Sequence, residues 1–216
     1  MGEAKKLEFL TAEGYLASER KSTVRREFVD GLVFTMSGAN QKHNIIAGSL
    51  YRALSDHLDE TPGQAFIESF KVRIQSANCF YYPDVVVACS GLNDDIDFTE
   101  EPVFIAEVLS PSTAVQDRRE KLINYLNISS LRTYLILHQK RKRVEAYQRS
   151  ETGGWELREY ISGETIYLKF KKGDELSVDI DRLYRNTTVP RGIRGVSEEI
   201  AEEYTTSDEE EMLLDY

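Results

Sequence analysis

Apolar residues recur every four positions at Ile46, Leu50, Leu54 and Leu58, which predicts a helix from His43 to Leu58 with a single apolar stripe. Pro62-Gly63 marks the stop after it. Residues 1 to 20 suggest an opening amphipathic helix, with Leu7, Leu10, Gly14 and Tyr15 on roughly one side. Between these helices, Val24 to Val29 and Leu32 to Met36 flank Asp30-Gly31. Both residues of such a turn need positive φ, so Asp-Gly between two strand-like runs predicts a hairpin.

Strand patterns dominate the rest of the chain. Ala65 to Glu68 and Phe70 to Ile74 fit one bent or bulged run. Tyr82 to Ala88 and Val103 to Leu109 are nearly continuous apolar runs, as expected for central strands covered on both faces. A helix is predicted over Thr113 to Leu126, where Thr113 and Gln116 have capping-box spacing. Thr133 to His138 and Arg143 to Gln148 follow as strands joined by the basic turn Gln139-Lys140-Arg141-Lys142. Trp155 to Tyr160 and Ile166 to Lys169 are short strands, and Val178 to Tyr184 a short closing helix.

Two acids interrupt the central apolar runs. Asp84 precedes Val85-Val86-Val87, and Glu107 stands between Ala106 and Val108. A carboxylate buried without a partner is costly, and two on neighbouring strands repel unless a cation or shared proton lies between them. A divalent metal with oxygen ligands would satisfy both. The alternative is a buried salt bridge of Glu107 with Lys121.

Lys121 is the third candidate. Glu107 lies three residues before Ser110, about 10 Å from that strand end. Lys121 lies eight residues into the predicted helix, about 12 Å along it. A helix packed back antiparallel returns Lys121 to the height of Glu107, where its ammonium can orient water and stabilise charge on a phosphate. Asp117, Lys121 and Tyr125 share a stripe by i, i+4 spacing, so a surface Asp117–Lys121 pair is the plain alternative. Glu27 in the first hairpin and His43 at the start of the long helix, on the side of Ile46 and Leu50, are supporting candidates. His57 and His138 show no partner pattern. The basic turn could touch a phosphate backbone, although charged hairpin turns are usually just solvated. Ser110-Pro111-Ser112-Thr113 lacks the nucleophile-elbow pattern of serine hydrolases, and no glycine-rich phosphate loop occurs.

Composition narrows the class. The chain has 216 residues, 41% of them hydrophobic, enough for one core. Cys79 and Cys89 form neither a disulfide framework nor a zinc pattern, so a reducing, cytoplasmic setting is expected. Met1 to Leu10 carries no long apolar segment, so no signal peptide is expected. The net charge of −10 argues against nucleic acid at first sight. Yet Pro190 to Tyr216 holds nine acids and two bases, so this segment carries −7 and residues 1–189 only −3. The expected organisation is one domain over 1–189 and an acidic, flexible tail over 190–216.

Several segments, in order, carry a family resemblance: Arg26-Glu27-Phe28-Val29-Asp30-Gly31, His43 opening its helix, Tyr82-Pro83-Asp84-Val85-Val86-Val87, Glu107-Val108-Leu109-Ser110-Pro111-Ser112-Thr113, Asp117 with Lys121 and Tyr125, and Tyr134-Leu135-Ile136-Leu137. Over about Leu10 to Tyr184 the chain resembles the Uma-type family of endonucleases within the PD-(D/E)XK nuclease superfamily. The resemblance implies a restriction-endonuclease-like α/β (α+β) core, a central mixed sheet flanked by helices, and Mg2+, or Mn2+ in its place, held by Asp84 and Glu107. Where the superfamily pattern has lysine two residues after the acid, this chain has Leu109, and Lys121 looks like its substitute.

The resulting expectation is a metal-dependent hydrolase cleaving phosphodiester bonds in DNA. Asp84 and Glu107 would bind metal and Glu27 complete the acidic cluster. Lys121 would act on water or phosphate, while His43 and Tyr125 would orient the phosphate or the groups around it. Two active sites acting on a duplex would imply a homodimer. The alternatives are a catalytically degenerate binding or regulatory module on the same fold, or an acidic interaction scaffold working through its tail.

Overall fold

Thr11 ends the first extended segment: its hydroxyl accepts the Gly14 N–H at 3.1 Å and caps α1 (Ala12–Glu19), which buries Tyr15 and Glu19. The computed structural model describes residues 9–36, 38–89, 95–110, 120–171, 174–192 and 194; of the helix expected over 1 to 20, residues 1–8 lie outside the described residues, and the described part is helical from Ala12. Leu10 is not in the helix; it packs beside it against Tyr15, Phe28 and Phe80.

The predicted hairpin forms from β1 (Arg26–Val29) and β2 (Leu32–Thr35), with Asp30 and Gly31 at φ +44 and +93. Helix α2 (Gln41–Leu58) is capped by the Asn40 side chain and buries His43, Ile46, Leu50, Leu54 and Leu58, the expected stripe. The run after it is two strands rather than one. At Glu68 the backbone turns into the left-handed region, φ +58, and β3 (Gln64–Ile67) and β4 (Lys71–Ile74) join different sheets.

The remaining elements are β5 (Cys79–Tyr81), β6 (Val85–Ala88), β7 (Phe98–Thr99), β8 (Pro102–Val108), α3 (Leu122–Leu126), β9 (Thr133–Leu137), β10 (Arg143–Arg149), β11 (Trp155–Ile161), β12 (Thr165–Lys171), β13 (Asp174–Asp179) and α4 (Ile180–Leu183). Strands β5, β7 and β13 were not anticipated. The start of the helix predicted at Thr113, with its capping box and Asp117, lies outside the described residues.

A six-stranded sheet, order β11-β10-β9-β8-β6-β3, forms the centre; β8 and β9 run parallel and the other pairs antiparallel. A five-stranded sheet, order β2-β1-β5-β4-β7, and the β12–β13 hairpin complete a mixed α+β fold, as expected. One face of the central sheet presents Val85, Val87, Phe104, Ala106 and Val108 to α2, the β12–β13 hairpin and α4. The other presents Val86, Ile105 and Leu109 to a second core with Val72, Tyr81, Tyr125 and Tyr134. Both faces are covered, as the nearly continuous apolar runs of β6 and β8 predict, and Glu107 is the one charged residue within those two strands.

Candidate active site

Strand alternation places Glu107 on the face of Ile105 and Leu109, toward α3. The β6–β8 register pairs Val85 with Ala106, so one further residue sets Asp84 opposite Glu107. Both line a cleft of about 500 Å³ between the central sheet and the β1–β2 hairpin region. The two acids expected on neighbouring strands are thus brought into one cavity.

Each is fixed by named contacts. Asp84 accepts the Val108 backbone N–H at 2.6 Å through Oδ2, and its Oδ1 lies 2.9 Å from His43 Nε2. His43 is buried at the start of α2 and lines the cleft. Glu107 Oε1 accepts the Tyr125 hydroxyl at 3.0 Å and lies 3.3 Å from Lys121 Nζ. Burial first, and then the Glu107 carboxylate, push the Tyr125 hydroxyl well above its ordinary pKa, so it stays a donor. Tyr125 is wholly buried and supports Glu107 from behind.

Lys121 immediately precedes α3 and is 2% exposed. Its Nζ is 2.9 Å from Glu27 Oε1 and 5.5 Å from the Tyr81 ring centroid. Glu27 Oε1 also accepts the Tyr82 backbone N–H at 3.1 Å. Lys121 therefore does reach the height of Glu107, and the Glu107–Lys121 ion pair named as the alternative is present as well, with Glu27 as a second partner.

Several residues were missed by the sequence reading. Gln139, taken as part of a basic turn, donates to the Leu109 carbonyl at 2.6 Å and stands 3.4 Å from His43 Nδ1. Glu19 pairs with Arg26 at 2.8 Å and accepts from Tyr82. His57 and His138 do have partners, Asp174 at 2.9 Å and Glu145 at 2.8 Å. These contacts join separate elements, so no local spacing announces them; the burial of Glu19 four residues after Tyr15 is the one pattern that could have drawn notice. In the basic turn region, Lys142 pairs with Asp181 and Arg143 with Glu159.

The residues present fit a hard divalent cation. The described side chains lining the cleft include the carboxylates of Glu19, Glu68, Asp84 and Glu107 against the fixed cations Arg25 and Lys121. Among the described residues no group of three or more His, Cys, Asp and Glu is arranged to hold a metal, but magnesium needs only one or two carboxylates when water and substrate phosphate complete its shell. No described helix is long and apolar enough to cross a membrane.

Comparison with known proteins identifies the family and fold. Residues 12–179 match the family model Uma2, described as "Putative restriction endonuclease". The uncharacterized protein sll1609 of Synechocystis sp. strain PCC 6803 is 32% identical over 168 residues, covering 74% of this chain and 92% of that protein. The uncharacterized protein slr1290 of the same strain is 28% identical over 177 residues, covering 82% and 92%. The fold is similar to the crystal structure of "a putative nuclease belonging to DUF820" from Anabaena variabilis, with a TM-score of 0.64 and 15% identity over 81% of this chain and 97% of that one. With the family model spanning most of its length, the chain belongs to the Uma2 family.

Proposed function

We propose that this protein is a divalent-metal-dependent endonuclease that hydrolyses phosphodiester bonds in DNA. The observation that carries the reading is the juxtaposition of Asp84 and Glu107 in one cleft with the buried Lys121 ammonium beside them. Asp84 and Glu107 would hold Mg2+, or Mn2+. Bound there, such an ion polarises a phosphate and lowers the pKa of an attacking water.

The chain's own residues supply the rest. His43 and the Val108 N–H fix both oxygens of Asp84. Tyr125 fixes Glu107. Glu27 holds the Lys121 ammonium against Glu107, at the edge of the cleft, where it can orient water and offset charge growing on the phosphate. No covalent intermediate is required. Cleavage of both strands of a duplex would call for two copies of the site, hence a homodimer.

One observation favours a second reading, a binding module on a degenerate nuclease fold: both Asp84 oxygens are already engaged by protein groups, and Lys121 already neutralises one charge of the Glu27–Glu107 pair. Incubation of the folded protein with plasmid and single-stranded DNA in Mg2+ or Mn2+ separates the two. The nuclease reading expects metal-dependent nicking that Asp84→Asn and Glu107→Gln abolish. Folded wild-type protein that cleaves neither DNA in either metal would overturn it and leave the binding module.

A further inference from the structure

Arg25 lines the same cleft from the segment entering β1. Among the described residues lining the cleft the fixed cations are Lys121 and Arg25. Lys121 is sequestered between two glutamates, whereas the Arg25 side chain is 45% exposed. Of these two cations, Arg25 is the one whose side chain is open to a polyanion in this acid-rich cleft.

Its placement is not casual. Arg25 Nη1 donates to the Glu68 backbone carbonyl at 2.6 Å, while its contacts to the Glu68 carboxylate are long, 3.3 and 3.4 Å. The Glu68 N–H in turn donates to the Asp84 backbone carbonyl at 3.0 Å. Glu68 makes these contacts at the turn where β3 leaves the central sheet, with φ +58, a conformation uncommon for a residue with a side chain. One residue thus ties the guanidinium to the backbone of Asp84. The carbonyl contact holds Arg25 in place, and the stretched, solvent-exposed carboxylate contacts are the weak kind that a phosphate can displace at little cost. A planar guanidinium matches phosphate oxygens in paired hydrogen bonds.

We infer that Arg25 receives a backbone phosphate of the nucleic-acid substrate at the mouth of the cleft, held in register with Asp84 by the Glu68 bracket. The inference rests on the nuclease reading above and adds to it the residue that positions the strand. Arg25 is a binding residue; it takes no part in activating water.

The test uses the full chain and a short fluorescently labelled DNA duplex. Binding is followed by anisotropy in Ca2+ over a range of salt, and cleavage in Mg2+. Arg25→Ala is expected to raise Kd about tenfold and to lower the slope of log affinity against log salt by about one, with KM rising and the maximal rate holding. Arg25→Lys, which keeps the charge and loses the fork, retains the slope and binds less tightly than wild type. Glu68→Gln keeps the backbone bracket, removes the competing carboxylate and binds DNA more tightly. Unchanged affinity and salt slope in Arg25→Ala, beside a wild type that binds and cleaves, overturns this inference alone; weaker binding by Glu68→Gln also counts against it. Wild-type protein that neither binds nor cleaves DNA removes the nuclease reading and this inference together. A purely structural Arg25 would move the melting temperature and leave the salt slope alone.

Discussion

Lys121 Nζ stands 2.9 Å from Glu27 Oε1, and each side chain retains less than a tenth of its exposure to water. With Glu107 at 3.3 Å on the same ammonium, one buried cation serves two buried carboxylates. Lys121→Ala removes the cation that both acids share, and breaking a buried ion pair from one side costs roughly 3–5 kcal/mol. The expected result is a large fall in melting temperature in chelator, part of it recovered by Mg2+, together with loss of cleavage. A variant that melts like wild type in chelator would show that the pair contributes nothing to the fold. Retained cleavage would remove Lys121 from the catalytic group.

Asp84→Asn separates chemistry from folding. The amide has nearly the shape of the carboxylate and can still accept the Val108 N–H that Asp84 takes at 2.6 Å. Stability should therefore change by only about 1 kcal/mol. Changing a group that merely supports a metal ligand costs about 10–100-fold in affinity or activity, so loss of a ligand should cost at least about a hundredfold. Thermal melts with and without Mg2+, read beside nicking rates, check both halves. Equal Mg2+ protection in wild type and variant would mean that Asp84 holds no metal.

At high pH the buried tyrosines are expected to limit stability. Burial is the leading cause pushing the hydroxyls of Tyr15, Tyr81, Tyr82 and Tyr125 upward, with nearby carboxylates adding to it at each. Their folded-state pKa values are raised, so their contribution is complete below the unfolded value of about 10. It is lost as pH rises beyond that, because only the unfolded chain releases those protons. Absorbance titration should show these tyrosines ionising only in step with loss of the far-ultraviolet helix and sheet signal. Smooth ionisation of all 12 tyrosines in a chain that keeps its fold would contradict this.

The elements with regular periods were legible in the sequence. The α2 stripe, the Asp30-Gly31 turn and the apolar runs of β6 and β8 each follow from a local rule that the tertiary structure obeys. The acids Asp84 and Glu107 stood out because they break such runs. Strand β5 was hidden because three buried residues flow into Tyr82-Pro83 without a turn signal, and β7 because two residues carry no period. The separation of β3 from β4 depends on Glu68 entering the left-handed region, a place where glycine or asparagine would have given warning. Gln139 and Arg25 escaped for a different reason: their partners, Leu109 and Glu68, come from other strands or turns, and register alone brings them together.

The turn that carries Gln139 is anchored from its other end by a charge pair. Lys142 Nζ lies 2.8 Å from Asp181 Oδ1, and the Gly163 N–H donates to Asp181 Oδ2 at 2.8 Å. The Lys142 hydrogen bond, with the Gly163 N–H assisting against the effect of burial, holds the Asp181 carboxyl below the usual carboxylate range. A depressed folded-state pKa contributes stability above the unfolded value, about 3.9. That contribution is lost as pH falls through the depressed folded value, where the native carboxyl also takes up a proton. Asp181 is 41% exposed, so screening by water limits the pair to at most about 1 kcal/mol. Asp181→Asn should therefore unfold at slightly lower denaturant than wild type at neutral pH, and the two curves should converge in acid. Because the same turn places Gln139 against Leu109 and beside His43, the substitution should leave cleavage intact only while that contact survives. Denaturant midpoints measured from neutral pH into acid decide the point: a gap that persists undiminished in acid would mean that the Asp181 charge is not what holds the turn.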